Sequence, residues 1–225
     1  MRPPVDIALI ESVTPSVLAS GHRILQTHKY GDDIAHVDYM LAQFRLPENA
    51  CVLDAGCGIG EVARLMSVRR PDLRFVLMNL SMLQLSHCPV GDQYFHMLDD
   101  CHHSLLADGA VDSVMFSSAL CQMDIPVALA EARRVVANGG VLLVNEMVRE
   151  SGTPDEMEAA IAARVLPVDQ LVRDIQTAGF AVDTIDYPDH DASHFIDMLV
   201  SNGIGHLLDG IKPVVIRAIA VNHKE

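Results

Sequence analysis

The chain has 225 residues, half of them hydrophobic and a fifth charged, which suits one α/β domain with a full core rather than a disordered or collagen-like polymer. Sixteen Lys and Arg against thirty Asp and Glu leave a formal charge of −14, so the surface repels phosphate backbones and anionic lipid and disfavours extended nucleic-acid binding. No apolar run approaches the ~20 residues that span a bilayer, and the opening Met-Arg-Pro-Pro-Val-Asp interrupts any export signal.

In chain order, Ile7 to Phe44 reads as mostly helical, with a break near Pro15 and an N-cap at Asp32. Cys51-Val-Leu-Asp54 is a buried strand, and Glu61 to Val68 a helix. A second strand, Leu73 to Met78, leads into a helix at Ser81 to Leu85; Gln93 to Met97 and Val111 to Phe116 are further short strands. Pro126 opens a helix through Val127 to Val136, which Gly139-Gly140 ends, and Val141 to Val144 is apolar enough for burial on both faces. The last third gives a helix from Val168 to Ala178 stopped by Gly179, and a strand from Phe180 to Tyr187. A helix near His194 to Val200 follows, and Val214 to Val221 closes as a strand.

Strands alternating with helices predict a parallel sheet covered on both sides. Residues 1–45 precede the first strand, so they are expected to form a helical cap over the carboxyl ends of the strands, with residues 46–225 as the ligand-binding part of a single domain. The five cysteines (51, 57, 88, 101, 121) contain no C-x-x-C pair and read as reduced thiols of a cytoplasmic protein.

The strongest signal is Val52-Leu-Asp-Ala-Gly-Cys-Gly-Ile-Gly60, a strand ending in D-x-G-x-G-x-G and opening a helix. Its glycines permit a sharp turn and close backbone approach to a ligand. A dinucleotide site reads G-x-G-x-x-G, with the third glycine one residue later. The tighter spacing and the acidic Asp54, which repels phosphate, suit a cationic amino-acid ligand instead.

Leu53-Asp-Ala-Gly-Cys-Gly-Ile-Gly60 resembles the first motif of class I S-adenosylmethionine (SAM) dependent methyltransferases. Three further stretches follow in that family's order: Asn79-Leu-Ser-Met-Leu-Gln-Leu85, Asp99 to Asp112, and Ala130 to Val144. The form N-L-S-x-x-Q is similar to the branch holding terpene C-methyltransferases and cyclopropane fatty-acid synthases. The resemblance implies a Rossmann-like α/β fold, a seven-stranded mostly parallel sheet whose last strand is antiparallel. It also implies SAM as cofactor and S-adenosylhomocysteine (SAH) as product. Gly56, Cys57, Gly58 and Gly60 would pass along the methionine part of SAM, with Asp54 near its amino group. Asn79 stands where the family usually has an acid gripping the ribose, with Leu80 beside it and Gln84 helping to hold the sugar. On this reading Asn79→Asp should keep or strengthen SAM binding. Asp100, or Asp99 in a shifted alignment, matches the acid that accepts from the adenine amino group, Cys101 lines that pocket, and Ser117 lies beside the sulfonium.

After the fourth strand many relatives carry a glutamate and an aromatic or histidine; here these positions are Ser118 and Gln122, so the usual general base is missing. The catalytic candidates are therefore His28 and Tyr30 in the cap, Gln122, and His190 in the loop after the sixth strand, where His194 is nearby. The histidines and cysteines at 87, 88, 96 and 101–103 lack zinc-ligand spacing, and no metal is expected. The activity implied is methyl transfer to a small-molecule C, N or S nucleophile. A SAM-binding sensor or partner subunit is the alternative, and a dinucleotide oxidoreductase stands third. The expected partner is a small-molecule acceptor, without extended nucleic acid or membrane span; homo-oligomerisation is left open.

Overall fold

The computed structural model describes residues 7–19, 31–150, 158, 163–188 and 210–221. His28, Tyr30, His190, His194 and the helix expected near residues 194–200 lie outside these residues.

Helices α1 (Ile7–Ala19) and α2 (Asp33–Phe44) precede β1 (Cys51–Ala55) and α3 (Glu61–Arg69). Then come β2 (Arg74–Asn79), the one-turn α4 (Met82–Leu85), β3 (Tyr94–Leu98), β4 (Val111–Ser117) and a 3₁₀ turn at Leu120–Gln122. Helix α5 (Ile125–Val135), β5 (Val136–Arg149), α6 (Val168–Thr177), β6 (Phe180–Asp186) and β7 (Ile211–Ala220) complete the order.

The seven strands form one sheet in the order β3-β2-β1-β4-β5-β7-β6. Strands β1 to β5 pair in parallel, whereas β7 runs antiparallel to both β5 and β6. The order reverses between β1 and β4, which opens a crevice at their carboxyl ends. One face of the sheet packs on α5 and α6 through residues such as Phe116, Leu129 and Ile175. The other packs on α2 and α3 through Phe44, Met66 and Leu77.

Local signals explain most boundaries. Asp32 caps α2 by accepting from Ala35 N at 2.8 Å, and Ser81 caps α4 by accepting from Gln84 N. Pro126 sits in the first turn of α5, and Arg133 and Arg134 occupy its last turn, where cations favour the helix dipole.

Two expectations need correction. Helix α1 runs through Pro15 without a break. Pro15 lacks the N–H that would reach Glu11 O, yet the helix continues past it; in the turn just before, Thr14 Oγ1 donates to Ile10 O at 2.7 Å. Nor does the double glycine stop α5. The helix ends at Val135, Val136 is already extended, and Gly139-Gly140 lies in a bulge where two residues of β4 advance against five of β5.

Candidate active site

Strand β1 is buried between β2 and β4, and the glycine loop leaves its carboxyl end. Gly56 N and Cys57 N both donate to Met78 O, at 3.0 and 3.1 Å, which ties the loop to β2. Gly56 has φ +77°, and a Cβ there would lie 2.7 Å from Ala119 Cβ, so only glycine fits. Gly58, at φ +57°, has nothing within 4 Å of the same position; this side of the loop is open.

Asp54 is 2% exposed, and none of the hydrogen bonds among the described residues reaches its carboxylate. Burial alone pushes its pKa up to about 7. An isolated buried carboxylate is costly unless a cation or donors complete it. The donor set therefore fits a ligand carrying an ammonium group. It fits a pyrophosphate poorly, because two loop amides are committed to Met78 O and the carboxylate repels phosphate.

Cys57 Sγ lies 4.0 Å from Cys88 Sγ. That contact, then burial, raises the Cys57 thiol well above its ordinary range, so it lines the loop as a neutral group. Cys101 is buried against Met78 Sδ at 3.6 Å, and burial pushes its thiol up to about 12.

At the end of β2, Asn79 Nδ2 donates to Gly58 O at 3.2 Å and to Gln84 Oε1 at 2.9 Å. Asn79 Oδ1 accepts from Ser81 N. Gln84 Nε2 in turn donates to Thr14 Oγ1 of α1 at 3.1 Å, so α1 and the glycine loop hang on one chain of amides. Leu80 is half-buried beside them.

After β3, both oxygens of Asp99 serve the local backbone, accepting from Asp100 N and Leu105 N. Asp100 Oδ1 accepts from His102 N and from His102 Nδ1 at 2.6 Å, while His102 Nε2 accepts from Asp124 N. A neutral imidazole protonated on Nδ1 satisfies both of its contacts. No described residue bonds Asp100 Oδ2.

The chain leaves β4 through Ser118, whose φ of 53° is unusual for a residue with a side chain. Ser118 N donates to Asn145 O at 2.8 Å, and Asn145 Nδ2 lies 3.4 Å from Ser117 Oγ. Gln122 closes the 3₁₀ turn, half-buried, with its N–H on Ala119 O. Beneath the turn sits Glu146 of β5, 3% exposed. Its Oε1 accepts from Cys121 N at 3.2 Å, its Oε2 has no hydrogen-bond partner among the described residues, and burial pushes its pKa up to about 7.

The described residues thus bring together the glycine loop, Asn79, Leu80, Gln84, Asp99, Asp100 and Cys101, with Ser117 and Gln122 on the next strand end. Glu146, Glu11 and Thr14 were missed in the sequence. An acid two residues beyond the apolar run Val141–Val144, at a strand's carboxyl end, was the available sign for Glu146. Nothing local in α1 marked the other two.

The methyltransferase domain family matches residues 53–144. Among curated proteins, a malonyl-[acyl-carrier protein] O-methyltransferase of Dechloromonas aromatica (strain RCB) is 38% identical over 91 residues, covering 40% of this chain and 34% of that protein. One from Herminiimonas arsenicoxydans is 30% identical over 140 residues, covering 58% and 52% respectively. The chain therefore spans about a third to a half of the length of these relatives. Among solved structures, the [4+2]-cyclase SpnF shares the fold with a TM-score of 0.80, 17% identity and 99% coverage of both chains. A geranyl diphosphate C-methyltransferase from Streptomyces coelicolor A3(2), complexed with Mg2+, geranyl diphosphate and S-adenosyl-L-homocysteine, does so at 0.74 and 17%, over 98% of this chain and 88% of that one. At such identities the likeness speaks for the fold alone.

Proposed function

We propose that the chain transfers a methyl group from SAM to a small-molecule acceptor, a reading supported by the match of residues 53–144 to the methyltransferase domain family and by the seven-stranded sheet that carries them. The observation that carries this reading is Asp54. A carboxylate 2% exposed, lifted to about 7 and bonded by no described residue, stands where an α-ammonium group would complete it.

The bound cofactor would supply an electrophilic methyl on a sulfonium; the protein's part is to bind, orient and exclude water. Asp54 and the open side of Gly58 would hold the amino-acid end. Asp100 Oδ2 rather than Asp99 would accept from the adenine amino group, because both Asp99 oxygens are engaged by backbone N–H groups. Cys101 would line the same pocket as a neutral thiol. Ser117 and the strained Ser118 would set the backbone next to the reacting methyl, and Glu146 would hold the Leu120–Gln122 turn from below through Cys121 N.

Ser118 and Gln122 offer no strong base, which favours an acceptor already nucleophilic, such as an amine, thiol or electron-rich alkene, over an unactivated hydroxyl. The same absence supports the second reading, a SAM-binding protein without transfer. The cap, residues 1–45 with His28 and Tyr30, would close over the acceptor, and His190 would approach from the loop after β6. The acyl-carrier-protein substrates in the names of the relatives remain theirs, since less than two thirds of those proteins is matched. Incubation with methyl-labelled SAM and a metabolite pool tests the proposal. Label in a small molecule supports transfer; SAH binding without any transferred label supports the sensor.

A further inference from the structure

In a doubly wound sheet the residue at the carboxyl end of β2, about 20 positions beyond the glycine loop, holds the ribose of a bound nucleoside, and it does so with a carboxylate that accepts from the sugar hydroxyls. Asn79 occupies that end here, and it is not available for the task in the same way. Both hydrogens of its amide nitrogen have acceptors, Gly58 O at 3.2 Å and Gln84 Oε1 at 2.9 Å, and its oxygen accepts from Ser81 N at 2.9 Å. It is also 7% exposed. Asn79 works as a brace within the protein, and the site lacks the acid its topology calls for.

A carboxylate arrives from elsewhere. Two residues past Asn79, Ser81 Oγ donates to Glu11 Oε1 of α1 at 2.9 Å. Glu11 is half-buried, and its second oxygen has no partner among the described residues. The helix that carries it is fixed in place one turn further on. Thr14 is fully buried, accepts from Gln84 Nε2 at 3.1 Å and donates to Ile10 O at 2.7 Å. Glu11 and Thr14 lie three residues apart, so they share one face of α1, and that face is seated on the turn where the ribose-binding acid belongs.

We propose that Glu11 of the N-terminal helix is the ribose-binding carboxylate of this protein, standing in for the acid that β2 lacks. Its Oε1 is oriented by Ser81 and its Oε2 accepts from a ribose hydroxyl, while Thr14 and Gln84 dock α1 so that the carboxylate reaches the sugar. The N-terminal helix is then a part of the nucleoside site. This rests on the SAM reading above and names a residue of that same site.

The test is calorimetry of the full chain with SAH and with its 2′-deoxy and 3′-deoxy analogues, on the parent protein, Glu11→Ala and Glu11→Gln. The parent should prefer SAH over at least one deoxy analogue by about tenfold or more, the scale of one charge-assisted hydrogen bond. Glu11→Ala should bind SAH about tenfold more weakly and lose that preference, with Glu11→Gln in between. Ser81→Ala, which keeps the carboxylate but frees it, should weaken SAH binding while retaining part of the preference. Unchanged SAH affinity and unchanged discrimination in Glu11→Ala would overturn the proposal and leave the SAM reading standing. Failure of the parent itself to bind SAH would overturn both. The melting temperature of each variant without ligand separates loss of contact from loss of fold.

Discussion

Asn79 Nδ2 lies 3.2 Å from the carbonyl oxygen of Gly58, so the end of β2 holds the glycine loop from behind. The other hydrogen of the same amide goes to Gln84 Oε1. This reverses the outcome expected from sequence for Asn79→Asp. A carboxylate would set its oxygens against two acceptors in a buried place and could hold neither. The substitution should cost about 1–3 kcal/mol of stability and weaken SAH binding more than tenfold, as read by urea denaturation and calorimetry. Equal or tighter binding would show that the ribose contact outweighs the brace.

The two buried acids set a pH dependence of stability in the ligand-free protein. Asp54 is raised from 3.8 to about 7, and Glu146 from 4.5 to about 7. The folded state keeps protons that the unfolded chain has already released across that interval, so stability falls as pH rises from about 4 to about 7 and levels off above it. Each unit of separation corresponds to about 1.4 kcal/mol. Melting temperatures measured across this range should decline, and the decline should shrink in Asp54→Asn. That variant should be at least as stable as the parent near pH 8, about where the buried charge is fully formed.

Glu146 is a positioning residue, and two substitutions separate its hydrogen bond from its charge. Glu146→Ala removes the acceptor for Cys121 N and should destabilise the protein by about 1–3 kcal/mol. Glu146→Gln keeps an acceptor at that place and should restore most of the loss, with a flatter stability profile above about pH 5. A Gln variant as unstable as the Ala variant would mean that the ionised carboxylate, and not its shape, holds the turn.

Most of the sheet was legible because its central strands are continuous apolar runs. Val52-Leu53, Phe75 to Met78 and Val114 to Phe116 are each buried on both faces. Strand β5 was read short, as Val141 to Val144, because Asn145 and Glu146 break the run. Asn145 lies level with Ser117, the last residue of β4, yet Asn145 and Glu146 are 0% and 3% exposed and pair with Val215 and Val214 of β7, and the strand continues to Arg149. The glycine loop was legible from spacing, and Asp54 from its place before it. The choice between Asp99 and Asp100 was not, since it depends on which loop N–H groups turn onto each carboxylate. What Asn79 does was not, since its bond to Gly58 O spans 21 positions. The same holds for Glu11, which meets Ser81 across 70 positions.

The two N-terminal helices should respond differently to removal. Val37, Met40 and Phe44 of α2 are 0% exposed and belong to the core that α3 and the sheet share. Deleting residues 1–45 should therefore unfold the chain, contrary to what a detachable cap would do. Deleting residues 1–19 removes only α1 and should leave a folded protein, read by circular dichroism, that binds SAH weakly. Hydrogen exchange on the intact chain should show protection rising on SAH binding in residues 7–19 together with Gly56 to Gly60. A response confined to the glycine loop would make α1 a bystander.

The charge of Asp54 gives the SAM reading its most direct test. Ionised Asp54 is what an ammonium group would bind, and below about pH 7 the free protein holds that carboxyl protonated. Binding should then expel a proton. Calorimetry of SAH near pH 6, run in two buffers of different ionisation enthalpy, measures this number without assuming a structure. Up to about one proton should be released per SAH bound; Asp54→Asn should lose that release and bind about tenfold to hundredfold more weakly, and NAD(H) should give no heat. Binding of NAD(H) in place of SAH, or SAH binding with no proton released and no effect of Asp54→Asn, would contradict the SAM reading.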